Sequence, residues 1–539
     1  MPVRSTLIGV VLVAVALLTG CGRREVPADA GVRDHTLLLG NLSEPADLDP
    51  HIVTAYTDQN ITLALFEGLT ALDEKSSLPV PAVAERWDVS PDGLTYTFFL
   101  RAGARWSNGE PLTARDFSYS FQRILSPGLA SEYSYMLWPI KNAEAFTTGK
   151  IESFSDVGVR VVDDRTLEIT LERRTPYLLS LAAHPTWFPV HQPTIEKFGR
   201  MDQRSTAWTR AGNLVGNGAF VLQQWSPNSR IIVAKNPQYW DAARNEIERV
   251  VFFPTDNPDA EERSYRAGQL HITYALPIEK IATYRERSPE QLRRDAFLQT
   301  YFLRFNATKP PLNNPKVRRA LSLGLDRESL AKNVLRESRL PAFHFTPPDC
   351  AGYTAEARVP FDFAAARALL AEAGFPKGEG LPVIELQVRN DDTQPKVAEA
   401  IQAMWLRELG VRITISPFEQ KTWVQNQQSL AYDIAFSAWI GDFADPATFL
   451  ELFLKDGGNN WTGWSHPDYD GLLQAAAAAE NQSQRLQRFQ QAEALLLEQA
   501  PVAPLYFGAR VYAINAAVKN WAPSLLGFHR YQLIRLERQ

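Results

Sequence analysis

The sequence predicts a mixed α/β protein of several domains. Its 539 residues exceed what one hydrophobic core usually holds, so the chain is expected to divide into two or three domains. Three observations predict the mixed class: a β-hairpin around residue 92, an amphipathic helix after residue 113, and a strand–helix–strand unit between residues 383 and 416. With 45% hydrophobic and 22% charged residues, the composition is that of an ordinary globular protein.

The N-terminus has the pattern of an export signal. Arg4 precedes an apolar run, residues 6–17, that is short for a membrane span and ends in Leu18-Thr19-Gly20-Cys21. That tetrapeptide resembles the lipobox of bacterial lipoproteins, in which the cysteine is acylated and becomes the first mature residue. Residues 1–20 are therefore predicted to be a signal peptide and Cys21 the lipidation site; the alternative is an ordinary secretory signal with a chance cysteine.

The two cysteines and the residues after the signal agree with this interpretation. Residues 21–34 are polar, contain Pro and Gly, and are predicted to be a flexible tether between the lipid and the folded protein. Once Cys21 is acylated, Cys350 has no partner for an intramolecular disulfide. Cys350 lies in a loop-like sequence without an obvious His partner, so an inert thiol is favoured over a nucleophile.

The hairpin and the helix are predicted by short local signals. Two strand-like runs flank residues 90–93, SPDG, whose Pro, Asp and Gly suit a tight turn. Asn108-Gly109 predicts a further turn. Thr113 and Asp116 then form a capping-box start, followed by apolar residues on one helical face: Phe117, Phe121, Ile124 and Leu125.

The strand–helix–strand unit predicts a locally parallel sheet. VIELQVR begins at Val383, a helix through AEAIQAMWLREL stops at Gly410, and VRITIS ends at Ser416. Strands joined through a helix at this spacing form a βαβ crossover.

Sequence signatures of catalysis and of metal or nucleic-acid binding are weak. There is no P-loop and no HExxH. Gly216-Asn217-Gly218 is better interpreted as a tight turn into a strand than as a dinucleotide loop. His184 and His191 are close in sequence, but prolines interrupt the helix that would align them, so structural histidines are favoured. The net charge of −5 and the absence of a basic cluster argue against nucleic-acid binding. A Ser/His/Asp triad stays open, because its members converge only in space.

Three segments together resemble one protein family. They are LGNLSEPADLDPHIVTAYTDQNITLALFEGLTALDE from Leu39, PVPAVAERWDVSPDGLTYTFFLRAGARWSNGEPLTARDFSYSFQRIL, and YFLRFNATKPPLNNPKVRRALSLGLDRESL from Tyr301. The chain resembles the oligopeptide-binding proteins of bacterial ABC importers, within the peptide/nickel solute-binding family. The resemblance implies a two-lobe fold with three domains that closes on a ligand. It is not specific to one ligand.

Mapped onto this chain, the resemblance implies a domain for each part of the sequence. The first domain would be discontinuous, the second would be inserted in it, and the third would form the opposite lobe. The implied boundaries are residues 35–56, 181–282 and 508–539 for the first domain, 57–180 for the insert and 283–507 for the opposite lobe.

The resemblance also implies the ligand site. In the family, the segment matching AWIGDFADP pairs with the peptide backbone, which implies ligand-binding roles for Ala438, Trp439, Ile440, Gly441 and Asp442. The carboxylate of Asp442 would bind the free α-amino group, and Trp439 would form a flat apolar wall. This strategy uses groups that every peptide shares. Asp445, which precedes Pro446, is expected to be a turn or cap residue.

On the facing lobe, Glu44, Pro45 and Ala46 match the other ligand-pairing segment. Pro45 has no N–H, so one rung of that ladder is expected to be missing. Phe436 and Gln427 occupy positions where relatives carry basic residues for the peptide's far end, which leaves the anchoring of that end open.

The function implied is therefore that of the extracytoplasmic binding component of an ABC importer. The expected partners are oligopeptides, permease subunits and, through the N-terminal lipid, a membrane. A monomer without cofactor, metal or catalytic residues is expected. A nickel chelate, haem or an oligosaccharide as ligand is an alternative on the same scaffold, and a lipid-anchored hydrolase is a more distant one.

Overall fold

The computed structural model describes residues 25–391, 393–441, 443–455 and 457–538. Its strands are β1 (Thr36–Gly40), β2 (Thr70–Leu72), β3 (Pro79–Pro81), β4 (Ala84–Val89), β5 (Thr95–Leu100), β6 (Val159–Asp163), β7 (Thr166–Thr170), β8 (Phe220–Ser226), β9 (Arg230–Lys235), β10 (Arg249–Phe253), β11 (Leu292–Phe305), β12 (Leu340–Pro341), β13 (Ile384–Arg389), β14 (Ile413–Phe418), β15 (Ile434–Ile440), β16 (Val502–Ala513), β17 (Val518–Lys519) and β18 (Arg535–Leu536).

The α-helices are α1 (Pro27–Arg33), α2 (Tyr56–Leu65), α3 (Ala114–Leu125), α4 (Ala143–Thr147), α5 (Leu178–Leu181), α6 (Gln192–Phe198), α7 (Pro258–Arg266), α8 (Ile278–Arg287), α9 (Pro315–Leu323), α10 (Arg327–Ser329), α11 (Phe363–Glu372), α12 (Gln394–Leu409), α13 (Gln420–Gln428), α14 (Ala447–Leu450), α15 (Pro467–Ala477) and α16 (Gln482–Gln499). A π-helical turn spans Leu330–Val334. Short 3₁₀ turns span Ser134–Leu137, Phe154–Asp156, Pro185–Trp187, Ala207–Thr209, Ala242–Arg244, Pro376–Gly378, Glu451–Phe453 and Tyr531–Leu533.

The strands form three principal sheets. One has the order β1-β10-β9-β8, a second has the order β4-β5-β7-β6, and the third has the order β12-β16-β11-β15-β13-β14. Two short pairs, β2-β3 and β17-β18, complete the described strands. The fold is thus mixed α/β, as predicted.

The locally predicted elements are confirmed. β4 and β5 pair antiparallel around a turn in which Gly93 has φ +69°. The capping box at the start of α3 forms, with the Thr113 N–H donating to the Asp116 carboxylate at 2.7 Å. β13 and β14 are parallel and joined by α12, after which Gly410 turns the chain at φ +69°. These signals worked because each one needs only neighbouring residues.

Each principal sheet has its own hydrophobic core. The β1 sheet packs in the first core, with Leu37 and Leu39, and the β4 sheet packs in the second, with Phe98. The six-stranded sheet is covered on both faces: Leu303 faces one core and Phe302 faces another, because neighbouring residues of a strand point to opposite sides.

The core around the β4 sheet begins later than the predicted insert. The insert was expected from residue 57, but Ile61 and Leu65 of α2 pack in the first core, and the second core begins at Leu69. An amphipathic helix belongs to the domain whose core its apolar face packs against. The helix's own sequence shows that it has an apolar face but not which core that face contacts.

The predicted tether is shortened by α1. Residues 27–33 were expected to be flexible, but they form a helix that begins at Pro27 and packs against the first core's sheet. The Ala28 N–H donates to the Gly268 carbonyl at 2.8 Å, and the Ala28 carbonyl is 2.9 Å from Nε2 of His271. Gly31 permits this approach, since a Cβ there would lie 2.6 Å from the Thr36 carbonyl oxygen. Cys21 and the signal peptide lie outside the described residues.

Two long strands join the six-stranded sheet to the first core. β11 and β16 pair antiparallel from Leu292↔Ala513 to Arg304↔Val502, with register shifts between Ala296 and Thr300 and between Tyr301 and Phe302. At the far end, the Thr273 N–H donates to the Ala513 carbonyl at 3.0 Å. This pair is the main-chain link between the two parts. Among the described residues, no helix has both the length and the apolar character required to cross a membrane.

Candidate functional site

A cleft of about 400 Å³ lies where the six-stranded sheet meets the first core. Tyr56 and Asn60 on α2 and Tyr274 line one side, while Gln299 on β11 and Ile440 on β15 line the other. Ile440 is 42% exposed, so its side chain is open to the cleft that it lines. The cleft therefore joins elements from two separate cores and includes one predicted binding residue.

β15 presents an unpaired main-chain edge beside Ile440. On one side it pairs with β11 along its whole length, but on the other side β13 pairs only with Ile434 and Ala435. No other described strand covers residues 436–440 on that side. The strands β13 and β15 thus diverge, and the gap between them has the geometry of a position for one more strand.

The direction of the free groups follows from the ladder. The Gly441 N–H donates to the Leu298 carbonyl at 2.8 Å, and hydrogen-bonded pairs alternate along an antiparallel ladder. The N–H and C=O groups of Ala438 and Ile440 consequently point away from β11, toward the open edge. Two of the predicted residues therefore offer main-chain donors and acceptors for strand addition.

Trp439 and Gly441 shape this segment from within. Trp439 is half-buried and packs against the core that contains Phe302, and its indole Nε1 is buried without a hydrogen-bond partner among the described residues. Gly441 is required by close packing, since a Cβ there would lie 2.6 Å from Cδ2 of Leu298 and 2.9 Å from Cγ2 of Thr448. Asp442, the predicted amine anchor, lies outside the described residues.

Asp445 has the structural role predicted for it, together with a partner that the sequence did not reveal. Its carboxylate accepts from the Ala447 N–H at 2.9 Å, a bond two residues along the chain that makes Asp445 a turn residue before α14. It also forms a bidentate pair with Arg485 on α16, at 2.6 and 2.7 Å, and both side chains are buried. Burial and the nearby Asp445 charge raise the pKa of Glu451 to about 7.

The other predicted segment, residues 44–46, is held by side chains of the first core. The Glu44 carboxylate accepts from Nε1 of Trp225 at 2.6 Å and from the Asn228 N–H at 3.0 Å. Both of its oxygens therefore already have a hydrogen-bond donor from the protein. Pro45 is buried and Ala46 is exposed. None of the three lines the cleft beside Ile440, whose opposite wall is Tyr56, Asn60 and Tyr274 instead.

Asp58 is a buried residue near this segment that sequence reasoning missed. It is 3% exposed, and desolvation raises its pKa to about 6, although it accepts the Ala46 backbone N–H and a bond from Thr57. A run of buried polar residues on α2, Thr57 to Asn60, is the signal that could have indicated it. Such a run is uncommon in a helix whose other face packs in a core.

The positions expected to anchor the peptide's far end carry no charge. Phe436 is fully buried and packs against Tyr506, with ring centroids 6.2 Å apart. Gln427 is buried and accepts a hydrogen bond from the Ser437 hydroxyl. Neither can bind a carboxylate as a cation would.

The remaining candidates have local explanations. Cys350 is fully buried, and burial raises the pKa of its thiol well above the usual value. His184 bonds with Thr186 at 2.9 Å, and His191 is 2.7 Å from a carboxylate oxygen of Glu110. No three His, Cys, Asp or Glu side chains within the described ranges are arranged to hold a metal ion.

Comparison with protein families and curated relatives places these features in context. Residues 79–461 match the model of bacterial extracellular solute-binding proteins, family 5. The periplasmic oligopeptide-binding protein OppA of Salmonella typhimurium is 34% identical over 97% of this chain and 96% of its own. The probable deoxycholate-binding periplasmic protein YgiS of Escherichia coli is 36% identical, covering 90% of each chain.

Solved structures of similar proteins cover almost the whole chain. The unliganded open form of the murein tripeptide-binding protein MppA has a TM-score of 0.87 at 32% identity, covering 94% of this chain and 98% of that one. A second structure, of Escherichia coli MppA, scores 0.70 at the same identity, covering 94% and 99%. The Haemophilus influenzae OppA complex with RPPGFSPFR scores 0.68 at 28% identity, covering 94% and 99%. At equal identity, this chain therefore superposes better on the structure described as the unliganded open form than on the other MppA structure.

Proposed function

This chain belongs to the bacterial extracellular solute-binding proteins of family 5, and we propose that it captures oligopeptides outside the cytoplasm for an ABC importer. The bound peptide is handed to a membrane permease. The observation that carries the proposal is the open edge of β15 beside the cleft, where Ala438 and Ile440 direct main-chain groups toward the ligand's position. A peptide added there satisfies those groups whatever its side chains are.

Alternating N-methylation of a peptide tests strand addition directly. Along an added strand, every second N–H points to β15, so methylating one of those removes a hydrogen bond and introduces a clash. We expect affinity to fall about ten-fold, in line with roughly 0.5–1.5 kcal/mol for one hydrogen bond. Methylating the neighbouring N–H, which points away, is the matched control. Equal losses at both positions in calorimetric titration would contradict pairing with β15.

The chemical class of the ligand is tested by native mass spectrometry of freshly purified protein. Intact peptides released on denaturation support the proposal. Deoxycholate serves as the competitor, because one relative of this chain is named as its probable binder. Displacement of a retained ligand by deoxycholate but not by tripeptides would favour a non-peptide cargo.

The protein binds its ligand without chemical conversion. Incubation with peptides followed by mass analysis is expected to return them unchanged. Cleavage products that a Ser→Ala variant abolished would contradict this and restore the hydrolase alternative.

The part built on the β1 sheet and the part built on the six-stranded sheet close on the ligand. The strands β11 and β16, which join the two parts, act as the hinge. This is supported by the closer match to a structure described as the unliganded open form, and by the long pairing of these strands, with its register shifts at Ala296/Thr300 and Tyr301/Phe302. Ligand stabilises the closed state by its higher affinity for it. Small-angle scattering is expected to show a smaller radius of gyration with peptide bound. An unchanged radius at saturation, starting from ligand-free protein, would contradict closure.

The mature protein is a monomer anchored through a lipid on Cys21. The LTGC sequence supports the lipid anchor, and the helix that begins at Pro27 ends the predicted tether. The three principal sheets and their cores support the division into a first domain, an inserted domain and an opposite lobe. Cys21→Ser is expected to release the protein from membranes. Intact mass showing an unmodified N-terminus elsewhere would refute the anchor.

A further inference from the structure

The cleft beside Ile440 has an excess of positive charge. Two of its lining residues are cationic, Arg339 and Arg510, and none of the described residues that line it is acidic. Neither arginine forms an ion pair with a described carboxylate, whereas the nearby Arg336 pairs with Glu279 at 3.8 Å. The chain as a whole has a net charge of −5, so this positive cleft does not follow from its composition. A cleft lined by one sign of charge attracts a ligand group of the other sign.

Arg510, on β16, is held in place by contacts that leave most of its donors free. Its Nη1 donates to the Gly527 carbonyl at 2.7 Å, and its guanidinium carbon lies 4.7 Å from the ring centroid of Tyr274. Asp295, its partner in the ladder, accepts a hydrogen bond from the Tyr512 hydroxyl instead. A guanidinium has five N–H donors, so Arg510 is fixed in the cleft with donors available for a ligand.

Arg339 lies on the same face of the six-stranded sheet as Arg510. It directly precedes β12, whose Leu340 pairs with Phe507 of β16. Neighbouring residues of a strand point to opposite sides, so Arg339 and Arg510 share the face that Leu340 and Phe507 do not occupy. The two arginines are diagonal neighbours, which in adjacent antiparallel strands are roughly 7–8 Å apart. Both guanidinium groups are therefore within reach of one carboxylate.

The Arg339 side chain extends across this face toward β15. Its guanidinium carbon lies 6.0 Å from the ring centroid of Tyr301 on β11, and its Nη1 donates to the neighbouring Ser338 carbonyl at 2.8 Å. Tyr301 is directly opposite Ala438 in the β11–β15 ladder, and directly opposite residues share a face. The guanidinium thus lies one strand away from the segment of β15 that has the open edge.

A side chain of the peptide, and not its C-terminus, is directed toward the two arginines. A strand added beside Ala438 and Ile440 lies about 4.8 Å beyond β15, and every second side chain of it points to the face that carries Arg339. That part of the edge is free, because the pairing of β13 ends at Ala435. A C-terminal carboxylate continues along the strand, whereas an Asp or Glu side chain projects from it over the cleft.

We propose that Arg339 and Arg510 bind the carboxylate of an Asp or Glu side chain of the captured peptide, at a residue opposite Ala438 or Ile440. The protein then selects acidic peptides among those that can pair with β15. Arginine suits this role because its planar guanidinium donates two parallel hydrogen bonds to a carboxylate. This proposal rests on the proposed function and adds a side-chain preference to it.

Calorimetric titrations with a set of alanine hexapeptides test the proposal. Each peptide has an amidated C-terminus and carries one Glu or one Gln at its second, third, fourth or fifth residue. We expect wild-type protein, freed of copurified ligand, to prefer Glu over Gln about ten-fold or more at even-numbered or at odd-numbered residues, but not at both, because alternate side chains face the cleft.

The other outcomes of these titrations separate the two proposals. Equal affinity for Glu and Gln at every residue would overturn the side-chain preference and leave the proposed function standing. A similar preference for Glu at all four residues would also overturn it, since that result reports the total charge of the peptide. Failure to bind any peptide would overturn the proposed function too.

Variants assign the preference to the cleft. Arg339→Gln and Arg510→Gln each remove one guanidinium, and each should bind the Glu and Gln peptides with less than about a three-fold difference. Arg293→Gln is the matched control, because Arg293 is exposed on β11 and does not line the cleft, and it should keep the wild-type preference.

Melting temperatures without peptide show which variants are folded. If Arg510→Gln unfolds because the Gly527 carbonyl loses its donor, Arg339→Gln decides alone, since the printed bond of Arg339 is to its own neighbour. Retention of the preference by folded Arg339→Gln, or an equal loss of affinity for both peptides, would overturn the proposal. Loss of the preference in Arg293→Gln would do the same.

Discussion

The two segments expected to face the ligand are built in different ways. β15 is a regular strand whose outward main-chain groups at Ala438 and Ile440 have no described partner strand. Residues 44–46 are irregular, and side chains already use their polar groups: Glu44 bonds with Trp225, and Asp58 accepts the Ala46 N–H. Open main-chain groups can bind a peptide, whereas satisfied ones cannot without first giving up their partners. Recognition of the peptide backbone is therefore expected to come mainly from β15.

The buried Asp445–Arg485 pair, which follows β15 in the chain, should show the largest effect of mutation on stability. Asp445→Asn leaves Arg485 buried beside a neutral side chain, so the free energy of unfolding is expected to fall by about 3–5 kcal/mol. Chemical denaturation measures it. Arg160→Gln, which breaks an exposed pair with Glu168, is the control and should change stability by less than about 1 kcal/mol. Similar values for the two variants would show that the buried pair does not fix this segment.

Asp442 tests whether β15 continues into the amine anchor that the family resemblance implies. Asp442→Asn keeps the side chain's shape but removes its charge, so peptide affinity is expected to fall about 10- to 100-fold, or roughly 1.4–2.8 kcal/mol. Acetylating the peptide's N-terminus should cost wild type a similar amount.

The two losses should not add, because either change alone removes the shared interaction. Calorimetric titration of free and acetylated peptide against wild type and Asp442→Asn completes the cycle. Additive losses, or full affinity of wild type for acetylated peptide, would move the amine anchor elsewhere. Asp445→Asn is the control. In a buffer that keeps this variant folded, its peptide affinity should be nearly that of wild type.

The pH dependence of stability tests the segment after β15 through Glu451, which lies near Asp445. Its pKa is raised from 4.5 to about 7 in the folded protein, so its stabilising contribution is complete below pH 4.5 and lost as pH rises through 7. Glu451→Gln should therefore gain on the order of 2–3 kcal/mol over wild type between pH 5 and pH 8. Thermal unfolding across that range measures the difference. Parallel pH profiles for the two proteins would show that Glu451 is not protonated when buried.

Mutation of Glu44, in the segment of residues 44–46, should have the smallest effect on stability and peptide affinity. Glu44→Gln weakens the bonds to Trp225 and Asn228 and is expected to lower stability by about 1 kcal/mol. Peptide affinity should change less than about three-fold, because the carboxylate serves the first core and not the ligand. A large loss of peptide affinity at unchanged stability would show that residues 44–46 contribute to peptide binding as much as β15 does.

The sequence by itself determined the elements whose signals are local. The turn at Gly93, the capping box of Thr113 and Asp116, and the helix end at Gly410 depend on residues a few positions apart, and all three formed as predicted. The family resemblance added what local signals cannot give, namely a two-lobe fold and the segment around Trp439. The expectation that Asp445 is a turn or cap residue was met as a turn, since its bond to the Ala447 N–H spans two residues.

Only the tertiary structure decided the contacts between distant segments. Nothing near residues 27–33 indicates that His271 and Gly268 hold them as a helix, and nothing near Asp445 indicates Arg485. Arg304 on β11 is 4% exposed and its Nε and Nη1 have no hydrogen-bond partner among the described residues. This burial follows from the pairing of β11 with β15, about 130 residues later, and from Trp461, which covers the guanidinium. A charge becomes costly or useful according to its burial and its partners, and both are set by which strands meet, not by the residues beside it in the chain.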